Sequence, residues 1–253
     1  GVEGTGQVSG NFVNGVWNGT VEVVHTAANN VVITATNSTG SESGDSNTFN
    51  AVVGSLDHFD VTVDTQTPTV GDTSSNYVTV TITAKDAYGN TITGYDPANV
   101  LNLTSPGATQ GANIDWSGTD VTDNDDGTAT ISTAGNAFTN GVATVRLANT
   151  VAEGPVNAKV TESVGGQSGT SPDITWQPDS LDHFTFTAGP ASGENVTVGT
   201  NYSVTIEARD QYENVVTGFT GTVDFSGSGV EGTGQVSGNF VNGVWNGTVE
   251  VVH

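Results

Sequence analysis

The first 25 residues, GVEGTGQVSGNFVNGVWNGTVEVVH, return without a single change as residues 229–253. Identity over such a run is no accident of composition, and an internal repeat constrains a fold before any local pattern does. The spacing sets a period of 228 residues, so the 253-residue chain covers one period plus an overlap. A second, diverged repeat lies inside the period. Ser55-Leu56-Asp57-His58-Phe59 recurs as Ser180-Leu181-Asp182-His183-Phe184, and VTITAKDAYGNTITGY (80–95) aligns with VTIEARDQYENVVTGF (204–219). Further on, GNAFTNGVATV (135–145) resembles GNFVNGVWNGTV (238–249). Two related domains therefore alternate. Residues 55–179 are expected to form one complete domain, A, with an insertion near 105–126. Residues 180–253 form the N-terminal part of a domain B, and residues 1–54 the C-terminal part of a preceding B.

Each unit alternates apolar and polar residues over short runs, as in Val78-Thr79-Val80-Thr81-Ile82-Thr83 and Tyr202-Ser203-Val204-Thr205-Ile206-Glu207. Period-two alternation with β-branched residues predicts strands that bury one face. The pairs Asn14-Gly15, Asn18-Gly19, Gly89-Asn90, Asp126-Gly127 and Asn140-Gly141 supply residues that tolerate positive φ, and so predict hairpin turns between the strands. No stretch carries a helical period. The expected class is all-β, with about seven strands per unit, the size of a two-sheet sandwich.

Composition removes several functions. Four Lys and Arg stand against 27 Asp and Glu, a formal charge of -23. So few cations cannot neutralise a phosphate backbone or an anionic membrane surface, so neither nucleic acid nor direct membrane insertion is expected of this segment. Cysteine is absent, which excludes disulfides and thiol chemistry. Catalysis lacks its usual parts: the distinct histidines are His25, His58 and His183, and none sits in a nucleophile-elbow pattern. The chain is expected not to be an enzyme.

The phrases LDHFxxT, VTIxAxDxYxNxxTGxxGTVxFS and TDNDDGTATI resemble the immunoglobulin-like domains strung together in large bacterial and archaeal surface proteins, the invasin-type adhesins among them. The resemblance implies tandem immunoglobulin-like β-sandwiches in an extracellular, cell-surface stalk, fibre or filament. Its partners would be neighbouring repeats joined head to tail, with lateral self-association a further option. It also implies stiffening by calcium in some members.

Calcium directs attention to acidic turns, since Asp and Asn oxygens suit a hard cation. Asp86 and Asp210 head the corresponding turns Asp86-Ala87-Tyr88-Gly89-Asn90 and Asp210-Gln211-Tyr212-Glu213-Asn214; Asp123, Asp125 and Asp126 crowd one loop. The competing reading is an Asx-type turn with the tyrosine over its corner, and for the denser cluster a solvated hairpin. It is the favoured one in both places. No cofactor is required. Asp57-His58 and Asp182-His183 near the unit starts read as a junctional cation site or, preferably, as hydrogen-bonded histidines. Lys85 as an isopeptide donor is disfavoured because its counterpart is Arg209. The Thr-x-Thr runs read as strand surface. Sequons at Asn18, Asn37, Asn102, Asn195, Asn201 and Asn246 occur about as often as composition dictates, and are available for glycosylation on an exported chain.

A domain cut by the ends of the sequence has two uses. Either one long polypeptide carries many periods, or separate molecules polymerise by strand complementation. The 25-residue overlap favours the continuous chain, because identical segments would compete for one slot. A carbohydrate-binding module is a third option, and it would require exposed aromatic platforms among Trp17, Trp116, Trp176 and Trp245.

Overall fold

In the computed structural model, residues 8–23, 27–133, 135–226 and 235–250 are described. Among them every regular element is a strand, and all ladders are antiparallel. No helix among them is long and apolar enough to cross a membrane.

The alternating run of the central unit behaves as its pattern dictates. Strand β6 (Val78–Lys85) buries Val78, Val80, Ile82 and Ala84 and leaves the intervening Thr residues half-buried. The same alternation in β5 (His58–Val63) turns Phe59 and Val61 inward. One sheet runs in the order β5, β6, β12 (Val142–Asn149), with β11 (Phe138–Thr139) and β8 (Ile114–Gly118) on the far side of β12. The facing sheet has the order β14 (Ser168–Thr170), β13 (Lys159–Glu162), β7 (Leu101–Thr104), β10 (Thr128–Ile131), β9 (Val121–Asp123). Val80, Ile82, Val145 and Leu147 of the first sheet meet Leu101, Leu103, Ile131 and Val160 of the second in one buried cluster, a sandwich-like arrangement. Residues 66–70 close it by running parallel to the end of the unit: Thr175 N–H donates to Gln66 O (2.8 Å) and Val70 N–H to Gln177 O (2.9 Å).

Two smaller groups flank this unit. Before it lie β1 (Ala28–Val31), β2 (Thr34–Thr36), β3 (Ser43–Asp45) and β4 (Phe49–Ala51), paired as β1–β4 and β2–β3. After it, β15 (His183–Ala188), β16 (Asn201–Arg209) and β17 (Val244–Glu250) form a three-stranded sheet in that order. Its aromatic centre, Phe184, Phe219 and Phe240 with ring centroids 5.0–5.6 Å apart, repeats the Phe59, Tyr95, Phe138 trio of the central unit. Edge-to-face pairs dominate both, the geometry ring quadrupoles prefer.

The turn expectations hold at Asn14-Gly15 and Asn140-Gly141, where both residues take positive φ, and in part at Gly89 and Gly127. They fail at Asn18-Gly19, which shows no positive φ, and the identical Asn246-Gly247 lies inside β17. The reason is local: a Cβ at residue 247 would stand 2.0 Å from the Trp245 ring, so the glycine there makes room for an indole lying along the strand.

Candidate functional site

The turns headed by Asp86 and Asp210 are built alike, atom for atom. Each directly follows the last residue of a long interior strand, β6 or β16. Asp86 Oδ1 accepts from Tyr88 N (3.0 Å) and Asn90 N (2.8 Å), and Asp210 Oδ1 from Tyr212 N and Asn214 N, both at 2.9 Å. The Asn side-chain amide then donates back to both carboxylate oxygens, at 3.2 and 3.0 Å in each turn. The motif Asp-x-Tyr-x-Asn is thus a closed Asx turn: a short acidic side chain caps its own backbone.

What the sequence did not suggest is the turn's outward connection. The remaining Asp86 oxygen accepts from Gly54 N, and that of Asp210 from Asp179 N, both at 2.9 Å. Gly54 and Asp179 are the residues just before the two Ser-Leu-Asp-His-Phe segments, where one unit passes into the next. The Asn amides reach further back. Asn90 Oδ1 accepts from Ala27 N (3.3 Å) and Asn214 Oδ1 from Ala152 N (2.8 Å), while Asn214 Nδ2 donates to Thr150 O (2.8 Å). Tyr212 packs against the central unit's core. Each turn therefore ties its own unit to the linker and to a loop of the unit before it. The joint occurs twice, and its partners Ala27 and Ala152, like Gly54 and Asp179, are 125 residues apart.

Asp86 and Asp210 are 1% and 0% exposed, with no cation beside either carboxylate among the described residues. Burial pushes the Asp86 pKa up. The bonds from Gly54 N, from the Asn90 side chain and backbone, and from Tyr88 N together outweigh it, holding the carboxyl at about 2. A buried carboxylate surrounded by N–H donors is stable as an anion, but its oxygens face the positive ends of dipoles. A calcium ion would have to displace those donors to gain the oxygen shell it needs. Among the described residues no group of three His, Asp or Glu side chains is placed to hold a metal.

The other acidic cluster lies elsewhere, on the β9–β10 hairpin. Asp123 accepts from Trp116 N (2.9 Å) and Asp125 N (3.1 Å), and burial, reinforced by neighbouring Asp115, leaves its pKa raised. Asp126 accepts from Thr128 Oγ1 (2.6 Å) and Thr128 N (2.9 Å), which lower its pKa. Asp125 takes φ 56° at the turn itself. The five aspartates are thus spread over three turns and are not brought together.

His58 Nδ1 and His183 Nδ1 each lie 2.9 Å from the preceding Asp carboxylate, and their Nε2 atoms face Asp60 (3.5 Å) and Glu213 (3.4 Å). Lys85 Nζ donates to Gly89 O (3.2 Å) and Thr91 Oγ1 (3.0 Å). All six sequon asparagines are exposed. Trp116 and Trp176 are buried in the core, and Trp245 packs on Phe225 at 5.5 Å. No protein-family model matches the chain, and no curated protein sequence matches it significantly.

Proposed function

We propose that this chain is a segment of a tandem array of immunoglobulin-like β-sandwich domains with a 228-residue period, serving as the non-catalytic stalk, fibre or filament of an extracellular cell-surface protein. The observation that carries this reading is the duplicated joint. A device that locks a unit to its predecessor, present at two successive boundaries, is what a chain of domains needs to transmit shape along its length. Its chemistry suits an acidic protein: the contacts are hydrogen bonds to backbone, so neither scarce Lys and Arg nor screening by salt decides their strength.

The strand order supports the immunoglobulin-like part. The sheet β5–β6–β12–β8 facing β14–β13–β7 follows the four-plus-three arrangement of a seven-strand immunoglobulin sandwich, with β9 and β10 added at one edge. The β15–β16–β17 sheet repeats the β5–β6–β12 part of it. Trp116 and Trp176 are buried, which takes two of the four tryptophans out of any carbohydrate-binding platform. Exposed sequons agree with an exported chain. The deciding experiment is the mass of the native polypeptide after complete denaturation and removal of any glycan. A species of hundreds of kilodaltons is expected, and one close to 25.7 kDa would end the continuous-array reading.

A further inference from the structure

Arg146 is placed unlike the other guanidinium of this acidic chain. Arg209 lies against Glu207, whereas Arg146 forms no ion pair among the described residues, in a chain with 27 Asp and Glu. It is nevertheless held in place. Its guanidinium lies over the Tyr77 ring, 4.4 Å from the centroid, and Nη1 donates to Thr73 O (3.2 Å). Thr73 is itself fixed, donating from N (3.1 Å) and Oγ1 (2.8 Å) to Asp115 Oδ2. The rest of the planar fork has no acceptor among the described residues.

Strand register surrounds this cation with hydroxyls. On β12, Arg146 faces Thr79 of β6 on one side and Ser117 of β8 on the other, and Thr144 shares its face two residues earlier. Together with Tyr77 and Thr119 they line an open cleft of about 470 Å³ that has no acidic residue in its wall. The side-chain hydroxyls of Thr79, Ser117, Thr119 and Thr144 make no hydrogen bond among the described residues. The acids nearby are engaged elsewhere: Asp115 by Thr73, and Asp64, beyond Tyr77, by Thr79 N (3.0 Å). The following unit builds the same sheet without these groups. There Ser203 pairs with Thr248 where Thr79 pairs with Arg146, and Asn201 stands at the position of Tyr77. The scaffold therefore requires neither the ring nor the cation.

We propose that this cleft binds an acidic saccharide, taking one carboxylate-bearing sugar per central unit. A guanidinium receives a carboxylate through two parallel N–H bonds, and a side chain already held in position spares the cost of ordering it. The four unengaged hydroxyls are each donor and acceptor, which matches the hydroxyls of a sugar ring. Recognition rests on Arg146 and these hydroxyls, and needs no tryptophan platform. An acidic protein segment fits less well, because an Asp or Glu side chain satisfies the guanidinium and leaves the hydroxyls unpaired. A second copy of this chain would also bring a further charge of -23 against the same face. The cleft lies wholly within the central unit, so it is the same in one period or in many.

The test uses the full chain. Its only arginines are Arg146 and Arg209, so isotope labelling of arginine alone gives one NMR side-chain signal at the cleft and one internal control. Titration with trimers of glucuronate, galacturonate and mannuronate should move the Arg146 signal saturably with at least one of them and leave Arg209 in place. By calorimetry, the methyl ester of that trimer, which lacks the charge, should bind about tenfold more weakly, as should acetate, which lacks the hydroxyls. Arg146→Ala should weaken the trimer about tenfold, and Thr144→Val about fivefold with acetate unaffected. Both positions are exposed on β12, and an unchanged melting temperature separates lost binding from lost folding. The proposal is overturned if no trimer moves Arg146, or if Thr144→Val binds the trimer as the parent does. Acetate or hexaglutamate binding as tightly as the trimer overturns it too, and would assign the cleft to a bare carboxylate or an acidic protein segment.

Discussion

Replacing Asn214 with alanine should loosen the joint without unfolding either unit. The side chain makes two contacts across the boundary, donating to Thr150 O and accepting from Ala152 N, each at 2.8 Å. A hydrogen bond in a partly buried site contributes about 1 kcal/mol net, so the pair is worth about 2 kcal/mol, somewhat more where a partner is left unsatisfied. That lowers the ratio of closed to open joints roughly 30-fold. Asp210 keeps its bonds from Tyr212 N, residue 214 N and Asp179 N, so the turn itself persists. The chain has no cysteine, so spin labels can be placed cleanly at Thr144→Cys on β12 and Thr248→Cys on β17, both exposed. Pulsed EPR should give a narrow inter-label distance distribution for the parent and a markedly broader one for Asn214→Ala. An unchanged width in the variant would refute the claim that these bonds orient the units.

Three further expectations follow from the same geometry. The Asp86 pKa is depressed from 3.8 to about 2, so its contribution, about 2 kcal/mol, is fully present above pH 4 and lost as pH falls through 2; Asp86→Asn should remove that slope from an acid-unfolding profile. Gly169→Ala should destabilise the central unit by about 3 kcal/mol through overpacking against the Phe59 carbonyl, seen as a lower urea midpoint, while Gly44→Ala, with nothing within 4 Å of the added methyl group, should leave the midpoint unchanged. Because the joint carboxylates are saturated by N–H donors, adding millimolar-range calcium or a chelator should not shift the melting temperature; a rise with calcium would show that the acidic turns bind it.

Much of the fold was legible from pattern. The alternation read over 78–83 and 202–207 placed β6 and β16 and the faces they bury, because a strand's side chains alternate whatever it packs against. The Asp-x-Tyr-x-Asn turns were legible as turns, since their closing bonds are local. Their role as joints was not. The outside partners are backbone groups of Gly54, Asp179, Ala27, Ala152 and Thr150, and a backbone N–H or C=O leaves no mark in the identity of its residue. The available signal was positional: both linker partners sit immediately before the repeated Ser-Leu-Asp-His-Phe segments.

The duplicated 25 residues separate local from tertiary control within a single molecule. Asn14-Gly15 and Asn242-Gly243 adopt the same turn, with φ of 52° and 78° against 50° and 76°, each closed by a bridge between the flanking valines. Sequence alone determined that turn, because Asn and Gly tolerate positive φ in any surroundings and the closing bonds span four residues. The strand is another matter. Residues 244–250 pair along β16 as β17, whereas the identical 16–22 form no strand, and Phe240 is buried while Phe12 is 63% exposed. A strand's hydrogen bonds belong to its neighbour and an apolar side chain's burial to the sheet opposite. The same residues therefore become a strand only where the tertiary structure supplies both.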